Sequence, residues 1–359
     1  MNEITFSRLS EEEQPQLLET ISEILEETGA HDTNGSSALS WNWQYKNLPS
    51  KDSYVYIAKL DKKIIGYYHI PAYEVEIENS IYKIGHIQSV AILKKYRGKN
   101  VFQGLAQYAN EDVNQHLDVI YTFPNNKSIH TFIKYNNFSL VSPLPVYILP
   151  ININQLISSK FKILGKLRIL WGLFDFLFSS LVKKRLSKDE TIEKCKKITP
   201  ELEKLISEFH NKNRINLFRN QNYLNWRYLN SPKGKYEIFT LRKNSTLKSA
   251  VVVKKENLFS VGGLIVMDFV FDHPEDLQKL LSNLSKNMFF NEKDEPSFIF
   301  ISAISEGLNK LKYSGFIPVP QVFVPRKLNL LVRWTRKEIT NELEKPGSWF
   351  VSLGDWDVF

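Results

Sequence analysis

The sequence is short of the features that announce several protein classes. It has a single cysteine, Cys195, in 359 residues. That excludes an intrachain disulfide framework and any zinc site built on a cysteine cluster; no metal is expected. It has no run of about 18 uncharged apolar residues, so a spanning helix is not expected. The opening stretch from Met1 to Gln14 is polar and acidic where a secretory leader would be basic and then apolar, which points to a cytoplasmic protein. What is present is core material. Hydrophobic residues make up 43% and aromatics 13%, which excludes a mostly disordered chain. At about 150 residues per domain the length suits two domains.

The formal charge is +8, a first hint of nucleic-acid binding, but it is concentrated. Residues 151–200 carry eleven Lys/Arg against four Asp/Glu, a net of +7; the remainder has 36 against 35. This segment follows the proline-bounded stretch 142–150 and closes at Pro200, so it reads as a connector. The expected organisation is therefore an N-terminal domain over 1–145, a basic helical connector over 146–200, and a second domain with its tail over 201–359. Within the connector, Phe161 to Val182 is rich in Leu, Ile, Phe and Trp with basic punctuation. One reading is a helix on an anionic membrane surface, giving peripheral contact through 160–185; the other is a helix pair packed across the two domains. Nucleic acid is not expected, because base-reading and RNA-stacking modules are absent.

The N-terminal module alternates element types. Ile4 to Leu9 reads as a strand. Residues 14–27 read as a helix with Leu17, Leu18, Ile21, Ile24 and Leu25 on one face. Tyr54–Leu60 and Ile64–Val75 are strands joined at Asp61–Lys63, and a further strand runs over Ile81–Leu93. Helices are expected over Val101–Gln115 and Ser128–Tyr135, with a short strand at Val119–Phe123 between them. The order implies an α+β fold on a mainly antiparallel sheet. Two landmarks then repeat. Trp43-Gln44-Tyr45-Lys46-Asn47-Leu48-Pro49 is echoed by Trp226-Arg227-Tyr228-Leu229-Asn230-Ser231-Pro232, each before a strand. Ile133-Lys134-Tyr135-Asn136-Asn137-Phe138 is echoed by Leu311-Lys312-Tyr313-Ser314-Gly315-Phe316. Matching landmarks in matching order indicate a duplicated fold.

The segment richest in chemistry is Val90 to Leu105. A strand runs into a turn, Tyr96-Arg97-Gly98-Lys99-Asn100, and then opens a helix. Free N–H groups and the helix dipole favour an anion there, and Arg97 and Lys99 add positive charge. A pyrophosphate is the natural occupant.

These residues resemble the GNAT acyltransferase superfamily, whose cofactor turn reads Gln/Arg-x-x-Gly-x-Gly/Ala. Arg97 takes the first position, Asn100 replaces the central glycine and Phe102 the final small residue. A second family signature, Asn-x-x-Ala/Ser-x-x-Leu/Phe-Tyr-x-x-x-Gly-Phe, is matched by Asn126, Phe132 and Phe138. Ile129 and Asn137 depart from it, and Ile133 stands where the family often has the tyrosine that protonates the leaving thiolate. The resemblance implies two GNAT-like domains, each a mainly antiparallel twisted central sheet flanked by helices. It implies acetyl-CoA as co-substrate, with the pantetheine arm on the strand backbone at Val90 and Ile92. The pyrophosphate would sit on Gly98, Lys99, Asn100, Val101 and Phe102. It further implies acyl transfer to the amine of a small molecule or sugar by direct attack on the thioester. The second copy has no Arg-Gly-Lys turn after Gly262–Phe271 and is expected to have lost the cofactor site. Rival readings are a Fem-type transferase that takes its acyl group from charged tRNA, a degenerate GNAT fold that only binds, and a membrane-surface scaffold.

The base is open. His86 shares a strand face with Ile84, Gln88, Val90 and Ile92 and could act near neutral pH, or could be structural. Glu76, in the alternating stretch Glu74 to Glu78, could act as base or belong to a solvated face. Trp41, Trp43 and Tyr45 could shape an acceptor pocket or pack in the core. The aromatic, acidic tail from Gly347 to Asp357 either docks on its own domain or closes over a site.

Overall fold

The computed structural model describes residues 3–28, 38–77, 80–126, 128–152, 155, 185–210, 215–258, 261–287, 296–324, 327–335 and 344–356. The amphipathic run at 161–182 lies outside the described residues. In chain order the first elements are β1 (Ile4–Arg8), α1 (Gln14–Thr28), α2 (Ala38–Tyr45), β2 (Ser53–Leu60), β3 (Lys63–Ile77), β4 (Ser80–Ile87) and β5 (Ser89–Ile92). Then come α3 (Val101–Val113), β6 (Val119–Thr122), α4 (Ile129–Asn136), β7 (Ser139–Pro143), β8 (Val146–Pro150), β9 (Glu190–Cys195), α5 (Pro200–His210), β10 (Ile215–Leu217) and α6 (Gln221–Leu224). The last are β11 (Tyr236–Lys243), β12 (Thr246–Leu258), β13 (Val261–Phe271), α7 (Pro274–Asn287), β14 (Phe298–Ser302), β15 (Ile317–Val319) and β16 (Asn329–Trp334).

Two compact units result. The first holds 1–143, 230–234 and 326–348; the second holds 144–229, 235–325 and 349–359. The first unit's sheet runs β1-β2-β3-β4-β6-β16-β7, with β5 pairing β3 beyond the end of β4. All of these pairings are antiparallel except β4 with β6. The second unit's sheet runs β15-β8-β14-β13-β12-β11-β9, antiparallel except for β13 with β14.

Local sequence accounts for most elements. Leu17, Ile21 and Ile24 return every three or four residues and are buried under the sheet. The β2–β3 turn places Asp61 at φ +53°, a backbone region that aspartate tolerates. In α5, Pro200 begins the helix, and Leu202, Leu205, Ile206 and Phe209 form its buried face. The duplicated landmarks occupy equivalent places. Trp43 and Trp226 lie in helical segments just before the first strand of each central hairpin. Asn137 (φ +55°) and Gly315 (φ +82°) end the equivalent helical segments in left-handed geometry.

The observed units differ from a division at 146–200. β8 lies in the second sheet between β14 and β15, and β9 is the far strand of that sheet. Reciprocally, β16 lies in the first sheet between β6 and β7. Leu330, Leu331 and Val332 are fully buried there. Each unit therefore borrows one strand from the other copy's sequence. A short apolar run does not state which sheet it joins, so 1–145 alone lacks a strand of its own sheet.

Candidate functional site

The site begins with one extra residue. The β3–β4 register pairs Ala72 with Gly85, whereas the β3–β5 register pairs His69 with Ser89. Gln88 is the residue left over, a β-bulge, and its N–H donates to the His69 carbonyl at 3.3 Å. On the other side, β4 runs parallel to β6 only as far as Ile87 opposite Thr122, whose hydroxyl donates to the Ile87 carbonyl at 3.0 Å. Past the bulge, β5 pairs with β3 and leaves β6 behind. The Leu93 N–H donates to the Ile65 carbonyl at 2.9 Å. By the alternation of an antiparallel ladder, Val90 and Ile92 then aim their backbone groups away from β3, toward the opened side. The Ile92 carbonyl receives Arg97 Nε at 2.8 Å, and the rest of that edge faces the gap.

Next comes the turn. Lys94–Tyr96 forms one tight helical turn, tied to α1 by the Lys94 N–H on the Glu27 carboxylate at 2.8 Å. Gly98 has φ +76° and open space where a Cβ would stand, so its requirement is conformational. Asn100 has φ +56° and no side-chain capping bond. The first α-helical bond runs from the Gly104 N–H to the Asn100 carbonyl at 3.0 Å. The N–H groups of Val101, Phe102 and Gln103 therefore head the helix with no intrahelical partner. Lys94, Lys95, Arg97 and Lys99 are exposed around them. An open strand edge leading to a cation-ringed helix start is a slot for an extended polar chain ending in a diphosphate.

Residues 5–154 match the model of the acetyltransferase (GNAT) domain family. The chain carries a GNAT domain in a tandem GNAT-like fold. Among solved structures, a GCN5-related N-acetyltransferase from Anabaena variabilis superposes with TM-score 0.63 at 11% identity, over 93% of this chain and 73% of that one. A tandem GNAT protein from the clavulanic acid biosynthesis pathway gives TM-score 0.53 at 10% identity, over 93% and 99%. The Saccharomyces cerevisiae N-myristoyltransferase with bound myristoyl-CoA gives 0.56 at 12%, over 100% and 90%. At these identities the likeness is one of fold. No curated protein matches the chain.

In this GNAT domain the structure brings Val90, Ile92, Arg97, Gly98, Lys99, Asn100, Val101 and Phe102 into one continuous feature. The Phe102 ring is half-buried, 6.4 Å from Tyr68 and 6.2 Å from Phe132, so it turns toward the core and leaves the helix start open. Asn126 is exposed four residues past the end of β6. Its neighbour Asn125 makes the turn into α4, its Oδ1 accepting from the Ser128 N–H at 3.1 Å. Ile133 and Tyr135 are 41% and 56% exposed, so packing holds neither of them over the gap.

His86 lies two residues before the bulge, but it is buried, stacked on Tyr121 at 4.5 Å with Phe123 edge-on at 5.7 Å. Glu76 is not brought to the site. It pairs with Ile81 toward the far end of the β3–β4 hairpin, about 26 Å along the strand from Tyr68, the residue opposite Val90. Sequence reasoning missed His69. Its Nε2 is 2.7 Å from the Ser53 hydroxyl, its carbonyl holds the bulge, and the Trp41 ring lies 5.1 Å away. Its signal was a titratable imidazole within the otherwise uncharged stretch Ile64–Tyr73 of β3. Trp41 and Trp43 are both buried, which favours their packing role.

In the second unit the equivalent connection, from β13 to α7, has no such turn. β13 passes through Asp272 and His273 into α7, whose first turn carries Glu275 and Asp276. Those carboxylates complement the helix dipole and repel a phosphate. Among the described residues no group of three His, Cys, Asp or Glu could hold a metal, and no helix is long and apolar enough to cross a membrane.

Proposed function

We propose that the GNAT domain takes acyl-CoA, with acetyl as the acyl group, and passes the acyl group to the amine of a small molecule or amino sugar. The observation that supports this is the open strand edge at Val90 and Ile92 running into the uncapped, cation-ringed helix start at Asn100. The left-handed backbone at Gly98 and at Asn100 is the kind that gathers neighbouring N–H groups around an anion. When bound, acyl-CoA supplies a thioester that an amine can attack directly.

The chain's own residues bind and orient. N–H groups from Gly98 to Phe102 take the diphosphate, with Lys99 and Arg97 beside it as counter-charge. The Val90 backbone takes the amide groups of the pantetheine arm. His86, two residues before the bulge, receives the amine proton through water. Glu76 has no part, because it lies too far along the strand. Asn126, exposed four residues past the end of β6, is a further polar contact for the cofactor.

The test is release of free CoA thiol from acetyl-CoA in the presence of a panel of amines. Thiol release is expected, and His86→Gln should lower kcat by about 10²–10⁴ with KM for acetyl-CoA unchanged. An unchanged kcat removes His86 from this role. Binding of acyl-CoA without release to any amine would make the domain a binding module.

A further inference from the structure

The second sheet repeats the bulge of the first. Its β12–β13 register pairs Val253 with Val266 and Val252 with Asp268, so Met267 is the extra residue, as Gln88 is in the first. β13 runs parallel to β14 only as far as Val266 opposite Ile301, just as β4 and β6 end at Ile87 opposite Thr122. The same splay therefore exists beyond Met267.

Here it is filled, by the segment Trp349–Trp356. On one side, Ile304, just past β14, exchanges both backbone bonds with Val351, at 2.8 and 2.9 Å. On the other, Gly354 lies against β13: a Cβ there would collide with the Tyr228 hydroxyl and stand 3.2 Å from the Met267 carbonyl. The Phe350 ring packs 5.4 Å from Phe269, and its N–H donates to the Ile215 carbonyl at 2.9 Å.

Two buried arginines lock the segment. Arg219 donates through Nε to Asp268 at 2.7 Å and through Nη2 to both Asp355 oxygens at 2.8 Å. Arg227 donates to the Gly354 carbonyl at 2.9 Å and the Trp356 carbonyl at 2.8 Å. Ser352 and Asp355 close the local turn, the Ser352 N–H donating to Asp355 at 2.8 Å.

We infer that the second unit retains a GNAT-type cleft and that residues 349–356 occupy it as a built-in segment, bridged to Ile304 at Val351 and closed by a tight turn at Leu353–Asp355, in the place the pantetheine arm takes in the first unit. The comparison of occupants rests on the acyl-CoA reading of the first unit. The protein then binds one acyl-CoA per chain.

The test uses the full-length protein. Hydrogen exchange should find the N–H groups of Ile304, Phe350 and Val351 protected as strongly as the centre of β13; fast exchange at these positions overturns the inference. Arg219→Gln should lower that protection by about a hundredfold or more. Should that variant fail to fold, Val351→Pro removes one of the two bonds to Ile304 while keeping every buried ion pair, and should speed exchange at Ile304; no change overturns the inference. A photoreactive acyl-CoA should label the first unit alone, at one per chain. Two labels per chain, or label on 267–275, overturns it. Complete absence of acyl-CoA binding would sink the reading of the first unit and leave the exchange result to decide the filled cleft.

Discussion

Asn100 shows how much one backbone angle can carry. Its φ of +56° is the price of turning the loop's N–H groups outward, and asparagine bears it better than any branched residue. Asn100→Val should cost about 1–2 kcal/mol in urea unfolding and weaken acyl-CoA binding. Asn100→Gly should change stability by only about half a kcal/mol and keep binding. His210 is a second residue with a defined cost. It is buried between Phe209 and Phe350 in the second unit, and burial, with Arg219 nearby, holds its imidazole well below the usual histidine range. The folded state thus resists a proton that the unfolded chain accepts. Stability should fall as pH drops below about 6.5, by up to about 1.4 kcal/mol per pH unit. His210→Phe should flatten that slope in denaturant titrations at several pH values. At this scale the sequence was uneven. Gly98 and Asn100 were legible because few residue types suit a left-handed turn. His69 was not, because its partner Ser53 is sixteen positions away and no spacing rule links them.

Hairpins and helices are the elements that sequence reveals best. The β2–β3 hairpin, α1, α3 and α4 follow from alternation, three-to-four spacing and turn residues, all local properties. The strands β8 and β16 do not. Each is short, and each pairs with residues far away in the chain: Leu331 lies opposite Thr122 and Leu140. The bulge at Gln88 was likewise hidden inside what read as one continuous strand. The placement of β16 makes a prediction. Leu331 is fully buried in the first unit's core, so Leu331→Ala should cost about 2–5 kcal/mol and disturb the GNAT domain from almost two hundred residues away. A fragment of residues 1–150 leaves β6 and β7 without the strand between them. It should show no cooperative unfolding transition, where the full chain does.

On the scale of the whole molecule, duplication has produced two equivalent clefts with different contents. One ends in a glycine- and cation-bearing turn, the other in an acidic helix start with a segment of the chain laid into it. The excess charge of the chain, +7, falls within 151–200 of the sequence, outside the Tyr96–Asn100 turn. On the proposed reading, the charge that meets acyl-CoA is that of Lys94, Lys95, Arg97 and Lys99 at the head of α3. The most direct test is a calorimetric titration of the full chain with acetyl-CoA, beside an Arg97→Glu, Lys99→Glu variant. Diphosphate binding at this turn predicts one site per chain in the wild type and a loss of affinity of at least about a hundredfold in the variant, which is roughly 2.7 kcal/mol. No binding by the wild type, or binding that survives both charge reversals, would contradict it.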